Sequence, residues 1–371
     1  MPLDAEGFYR PQIDAARCIH CGACRRVCPA NRDRSPDPAR IPGVFACWNK
    51  DQNIRRSSSS GGLFTALADA VFAAGGIVFG AAFDSDATVL HASAETPDDL
   101  ARLRGSKYVQ SSINDAFRRV KSALASGRVV LCTGTPCQVD GLKSFLGCDP
   151  ENLHTCDFIC HGVPSPGLFA RYLEYLGEKY SSKVNDITFR HKKYRWQTYQ
   201  TAVNLIDGRM LFLYNDDESF MYGFSRSITL RPCCYQCRYV DTDRVSDITL
   251  ADFWGIGTRA PFKHNTRNGV SLALINTPKG QELFNRAQNN LNVEPRTIEE
   301  AKVNQTGLDR TVRMPTSRDV FFSEYPNTGY AELQKKYLTD KGIKRIIKRL
   351  VSKNALYHLI RIRDAIAGKN E

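Results

Sequence analysis

Val129-Val130-Leu131-Cys132-Thr133-Gly134-Thr135-Pro136-Cys137-Gln138 is the stretch on which the fold turns. Four apolar residues read as a short buried strand, and Thr133 to Cys137 form a tight strand-to-helix turn. A helix follows over about residues 138–146. Outward on the N-terminal side, residues 63–83 carry a single charge, Asp69, but Gly75-Gly76 cuts the segment in two. The first half suits a buried helix over 63–74, and the β-branched and aromatic second half suits a core strand over 77–83. Neither half is long enough to span a membrane. Residues 87–93 read as a further strand and 113–126 as an amphipathic helix. On the C-terminal side, 153–159 reads as a strand ending at Cys160-His161-Gly162. Strands, turns and helices in this order give an α+β or mixed α/β core.

The 371 residues contain 13 cysteines, and 51 Lys+Arg against 39 Asp+Glu give a formal charge of +12. The opening Met1-Pro2-Leu3-Asp4-Ala5-Glu6 is polar and acidic, unlike a secretory leader, so a secreted disulfide scaffold is not expected. The expected location is the cytoplasm. Cys18-Ile-His-Cys21-Gly-Ala-Cys24-Arg-Arg-Val-Cys28-Pro29 has the spacing of a bacterial ferredoxin run. Closely spaced thiolates on a Gly-containing loop reach different irons of one [4Fe–4S] cluster, whereas structural zinc favours two separated Cys pairs. There is no second run, so Cys28 and Cys47 both stand as candidates for the fourth ligand. One reading of the single run is a ferredoxin module whose first half is lost to a late start codon.

Residues 31–42 are rich in Arg, Asp and Pro and read as a linker. Ser57-Ser58-Ser59-Ser60-Gly61-Gly62 opens the apolar helix, which suits either a phosphate at a helix N-terminus or a plain serine cap. Gly105-Ser106-Lys107-Tyr108 is a turn carrying a cation, for a cofactor phosphate or a flavin ring, or simply a surface turn. Residues 187–196 interleave basic and aromatic side chains. That pattern fits a strand with a cationic solvent face, a lid over an anionic cofactor or, as a weak footprint, nucleic acid. Cys234-Tyr-Gln-Cys237 is a Cys-x-x-Cys pair open to zinc, disulfide or cluster. Cys137 and Cys160 close predicted strands, which makes these four thiols a candidate second ligand set. Cys132, Cys148 and Cys156 read as buried or incidental thiols. Residues 331–371 hold eleven basic and four acidic residues, net +7 of the +12. Ile343, Ile346, Ile347, Leu350 and Val351 share one helical face there, which suits an anionic membrane surface, an acidic partner, or docking on the body.

Taken together, the motifs resemble the coenzyme F-420 hydrogenase/dehydrogenase beta-subunit family, which includes chlorophyll-pigment reductases. The resemblance rests on Ser58-Ser59-Ser60-Gly61-Gly62, on Leu103 to Ser111 and on Gly134-Thr135-Pro136-Cys137-Gln138. It extends through Asp157 to Ser165, Cys234-Tyr-Gln-Cys237 and Ser246-Asp247-Ile248-Thr249-Leu250-Ala251-Asp252-Phe253-Trp254-Gly255, covering about residues 1–310.

The resemblance implies FAD and one or two [4Fe–4S] clusters, with electrons passing between a two-electron partner (reduced coenzyme F-420, NAD(P)H or similar) and one-electron carriers. It implies Cys137, Cys160, Cys234 and Cys237 as ligands of a core cluster, beside Cys18, Cys21, Cys24 and Cys28. It also implies Ser59, Ser60, Gly61, Gly62, Gly105, Ser106, Lys107, Tyr108, Gly134 and Thr135 as flavin-site elements. Lys107 and His161 are candidates for stabilising negative charge, and His161 equally reads as a structural hydrogen-bonder. Forms with a fused ferredoxin module are similar to bacterial proteins encoded with polysaccharide-assembly genes.

The expected organisation is a ferredoxin-type module over 1–40, a core over 50–125 and 126–310 binding FAD on a mixed sheet, and a basic helical tail over 311–371. The expected partner is a redox protein or a small-molecule donor. Peripheral contact with the inner face of the membrane would run through the tail, and no nucleic acid is expected. The alternative is a non-catalytic accessory protein of glycan assembly, with the cysteines holding a structural cluster or zinc.

Overall fold

The computed structural model describes residues 1–31, 33–37, 39–213 and 218–340. Its strands are β1 (Gly43–Asn49), β2 (Ile77–Phe83), β3 (Val89–Ala94), β4 (Val130–Gly134), β5 (Leu153–Phe158), β6 (Val184–His191), β7 (Gln200–Leu205), β8 (Met210–Phe212), β9 (Ile248–Asp252), β10 (Ser271–Ile275) and β11 (Leu291–Pro295). Eight of them form one sheet in the order β11-β1-β10-β9-β5-β4-β2-β3. The centre, β2-β4-β5-β9, is parallel, and β3, β10, β1 and β11 join antiparallel on the two sides. A mixed sheet was the expectation. The strands on either side of residue 125 share this one sheet.

The quoted stretch shows why the centre is buried twice over. Leu131 enters the apolar layer with Val78, Leu67 and Val71, while its neighbours Val130 and Cys132 enter the layer with Phe79, Val120 and Leu142. A period of two with both phases apolar is the pattern of a strand covered on both faces. The helices Leu63–Ala73 and Pro278–Ala287 supply one cover, and Ala116–Ala125 with Pro136–Leu146 supply the other. Each fully buried aliphatic side chain here contributes about 1.5–3 kcal/mol.

A second core forms around the helix Pro166–Tyr180, whose Leu168, Phe169, Tyr172 and Leu176 pack on the antiparallel sheet β6-β7-β8 and on the helices Ser219–Ser225, Ser317–Glu324 and Tyr330–Tyr337. Phe8 is part of that core, and Glu6 pairs with the buried guanidinium of Arg318. Residues 4–10 are therefore seated in the body. The basic helix expected over 343–351 lies outside the described residues. Among the described residues no helix is long and apolar enough to cross a membrane.

Candidate functional site

Cys137 and Cys160 come from adjacent parallel strands. Gly134 at the end of β4 is in register with Asp157 on β5, and each cysteine lies three residues beyond its member of that pair. The turn is fixed locally. Gln138 Oε1 accepts from Thr135 N at 3.0 Å, as in a capping box, and Pro136 occupies the first helical position. Cys137 thus sits in the first turn of an eleven-residue helix, where the dipole favours a thiolate, 3.1 Å from Thr135 Oγ1.

The third thiol, Cys234, arrives on the short helical turn Pro232–Gln236, and the fourth, Cys237, caps the end of that turn. It is drawn in by an isolated bridge between Pro164 and Leu230 and by Arg231 N donating to Val163 O at 3.0 Å. The approach is so close that a Cβ on Gly162 (φ +136°) would meet Leu230 Cδ1 at 2.8 Å and Cys234 Cβ at 3.2 Å. Only glycine satisfies both the space and the backbone.

The sulfurs act on one another electrostatically. Desolvation by the surrounding protein pushes the Cys137, Cys160 and Cys237 thiols up, and neighbouring sulfurs push them further: Cys137 acts on Cys160, Cys237 acts on both of those, and Cys233 acts on Cys237. Its hydrogen bond with Cys233, and then burial, hold Cys234 far above the usual thiol range, while that same bond lowers Cys233 to about 6. Backbone groups of Gly162, Val163 and Tyr239 hydrogen-bond Cys160, Cys234 and Cys237 in the sense that favours thiolate. Arg244 opposes the rise at Cys160 and Cys237, as Arg231 does at Cys137. The Arg244 guanidinium pairs with Asp157 at 3.1 Å, both side chains fully buried.

This is a donor set short of positive charge, with N–H groups already aimed at sulfur, and it fits an iron–sulfur cluster. Among the described residues no three His, Cys, Asp or Glu side chains converge to hold a single metal ion.

The first cysteine set is local in sequence. Cys21 and Cys24 are exposed and Cys18 and Cys28 half-buried, much as Cys137 is exposed and Cys160, Cys234 and Cys237 half-buried, but the first four share one loop with Gly22 at φ +68° and the short helix Ala23–Arg26. Cys47 lies in β1 with its side chain in the core, which removes it as a nearby fourth thiol. Cys132 and Cys156 are buried as expected, but Cys148 is exposed.

A cavity of about 290 Å³ opens between the Ser57–Ser59 and Arg102–Lys107 turns on one side and β6 on the other. Ser59, Gly105, Ser106 and Lys107 line it, and Ser106 N donates to Ser59 Oγ at 2.8 Å. Lys107 Nζ donates to the carbonyls of Arg102 and Arg104, and burial lowers its pKa to about 7. Ser60, Gly61 and Gly62 lie behind this wall: Ser60 Oγ donates to Val270 O, and a Cβ on Gly61 would meet Cys47 O at 2.4 Å. Gly134 and Thr135 belong to the Cys137 turn. His161 lies on the thiol side, its Nε2 3.1 Å from Ser227 Oγ and its ring against Phe224. Burial lowers its pKa.

The basic stripe over 187–196 divides between two faces: Arg190, Lys192 and Trp196 are buried, while Lys193 is exposed and His191 and Arg195 are half-buried. Arg190 lines the cavity and pairs with Asp252 at 2.7 Å; Lys192 donates to three backbone carbonyls, those of Arg55, Ser60 and Asn268. The buried Nε of Arg190 has no partner among the described residues. Sequence reading missed Arg102, Arg104, Asp186, Arg190 and Asp252 as site residues. The signal available was Asp252 within a quoted motif and the alternation of charge and ring around Arg190. Arg102, Arg104 and Lys107 on one wall fit an anionic cofactor, and the volume takes part of a dinucleotide.

A rank of rings joins the two places. Tyr108, whose hydroxyl lies 3.2 Å from Arg190, meets Phe189 of the cavity wall at 5.5 Å and Phe224 at 4.6 Å; Phe224 meets His161 at 5.0 Å, next to Cys160.

The family model for the C terminus of the coenzyme F420 hydrogenase/dehydrogenase beta subunit matches residues 127–301, and the model for its N-terminal part matches residues 44–118. The chain belongs to this beta-subunit family. Residues 11–31 match a 4Fe-4S binding domain, so the protein is an iron–sulfur member of an oxidoreductase family. A chain of the F420-reducing [NiFe] hydrogenase complex from Methanosarcina barkeri is similar in structure, with TM-score 0.48 and 18% identity over 82% of this chain and 92% of that one. No curated protein matches.

Proposed function

We propose that this beta-subunit relative is a FAD-dependent iron–sulfur oxidoreductase, with FAD in the cavity and a [4Fe–4S] cluster on Cys137, Cys160, Cys234 and Cys237. The observation that carries the reading is the rank Phe189–Tyr108–Phe224–His161, which leads from the cavity wall to the residue beside Cys160. Flavin, when bound, exchanges two electrons with a hydride donor such as reduced coenzyme F-420 or NAD(P)H and passes them on singly.

The chain's own residues do the rest. Lys107, Arg104 and Arg102 supply positive charge to the cofactor's anionic part. The backbone groups of Gly162, Val163 and Tyr239 stabilise thiolate at three of the four sulfurs. Residues 11–31 form the port toward a redox partner.

Anaerobic purification followed by iron, sulfide, zinc and flavin analysis tests this. About eight irons and one FAD per chain are expected, with Cys137→Ser losing about half the iron. Zinc without flavin would overturn the reading in favour of a structural accessory protein.

A further inference from the structure

The two cysteine sets meet at their last members. Pro29 follows Cys28, Arg238 follows Cys237, and Arg238 Nη1 donates to Pro29 O at 2.9 Å. The carbonyl of Arg238 accepts from Arg34 Nη1 at 2.7 Å, and the rest of the Arg34 fork closes on the Asp241 carboxylate and on Asp243 O. Asp243 in turn takes Asp37 N at 3.0 Å and Arg40 at 3.2 Å. Pro29 also lies against Gly141, on the helix that starts beside Cys137. No residue of 11–31 is buried, so the segment has no core of its own to hold it in place. Its position rests on this clamp and on the anchoring of residues 4–10.

We propose, on the reading that both sets hold clusters, that Arg238 and Arg34 are positioning residues that lock the first set against the second as a fixed relay. The path Cys28–Pro29–Arg238–Cys237 contains a single hydrogen bond. An electron leaving the cluster at one end, which is oxidised by one, arrives at the other, which is reduced by one.

The test uses the full-length protein purified anaerobically, with both clusters reduced by dithionite. The wild type is expected to give a magnetically coupled electron paramagnetic resonance spectrum. Arg238→Ala should keep the iron content, lose the coupling, and speed amide exchange over residues 27–31 by about tenfold or more. Arg238→Lys, which keeps a donor, should restore part of both. Unchanged coupling and exchange in Arg238→Ala and in Arg34→Ala would overturn the lock. An uncoupled wild type with about eight irons would overturn the relay and leave the two-cluster reading standing, whereas about four irons would overturn both.

Discussion

Cys18, Cys21, Cys24 and Cys28 fall within eleven residues, on a loop that is exposed and set by its own spacing. Cys137, Cys160, Cys234 and Cys237 come from two strand ends and a distant turn, and only the fold brings them together. The first set needs little more than a turn. The second needs the β4–β5 register, the capped helix at Thr135, the bridge at Pro164 and the buried Asp157–Arg244 pair. A local site should therefore tolerate damage that dismantles an assembled one.

The largest separation is expected from Arg244→Met. It strands the fully buried Asp157 and frees the loop after Cys237, at a cost of about 3–5 kcal/mol in chemical denaturation. The second set should lose its iron first while the Cys18–Cys28 cluster remains, read by iron content against Cys21→Ser as reference.

Gly162→Ala should act through steric clash at Leu230 and Cys234 and through strain at φ +136°, costing roughly 2–3 kcal/mol. Gly22→Ala is the counterpart in the first set. It meets only the Arg26 guanidinium, at 3.4 Å, and should cost about 1 kcal/mol with both clusters kept. Equal losses from the two substitutions would erase the distinction drawn here.

Acid should find the same boundary. His91 lies under the second set: its Nε2 meets Thr133 O, and its Nδ1 meets Ser111 Oγ, which also binds Gln138. Burial lowers its pKa from 6.5 to about 4. Between those values the unfolded chain takes up the proton and the folded one does not, so stability falls as pH falls from about 6.5 to about 4. The loss reaches up to about 3 kcal/mol, and His91→Gln should flatten it in denaturation curves taken across that window.

The smallest effect concerns the cavity. With Lys107 lowered to about 7, its charge disappears as pH rises past neutrality. FAD affinity, read by quenching of flavin fluorescence, should weaken about tenfold from pH 6 to pH 8, and Lys107→Met should abolish the dependence. A pH-independent affinity in the wild type would remove Lys107 from the cofactor site.

The same contrast explains what could be read from the sequence. The ferredoxin spacing, the buried strand at Val130 and the break at Gly75-Gly76 are local patterns, and their elements form within a few residues of where the sequence puts them. The helix expected over 138–146 begins at Pro136, because the proline and the Thr135–Gln138 box start it earlier than apolar periodicity alone indicates. Of the readings open for the stripe over 187–196, the inward turn of Arg190 and Lys192 has a long-range cause. Asp252, sixty-two residues away, neutralises Arg190, and three carbonyls from two other segments, 55–60 and 268, cage Lys192. No local pattern announces partners at that separation.

The measurement closest to the central claim is photoreduction of bound flavin with a sacrificial amine donor, followed by rapid-freeze paramagnetic resonance in Cys137→Ser and Cys21→Ser. Cys21→Ser should still pass electrons from flavin to the remaining cluster, while Cys137→Ser should bind flavin and allow its reduction without transfer. Transfer that survives Cys137→Ser and fails in Cys21→Ser would contradict the placement of the flavin-side cluster in the assembled pocket.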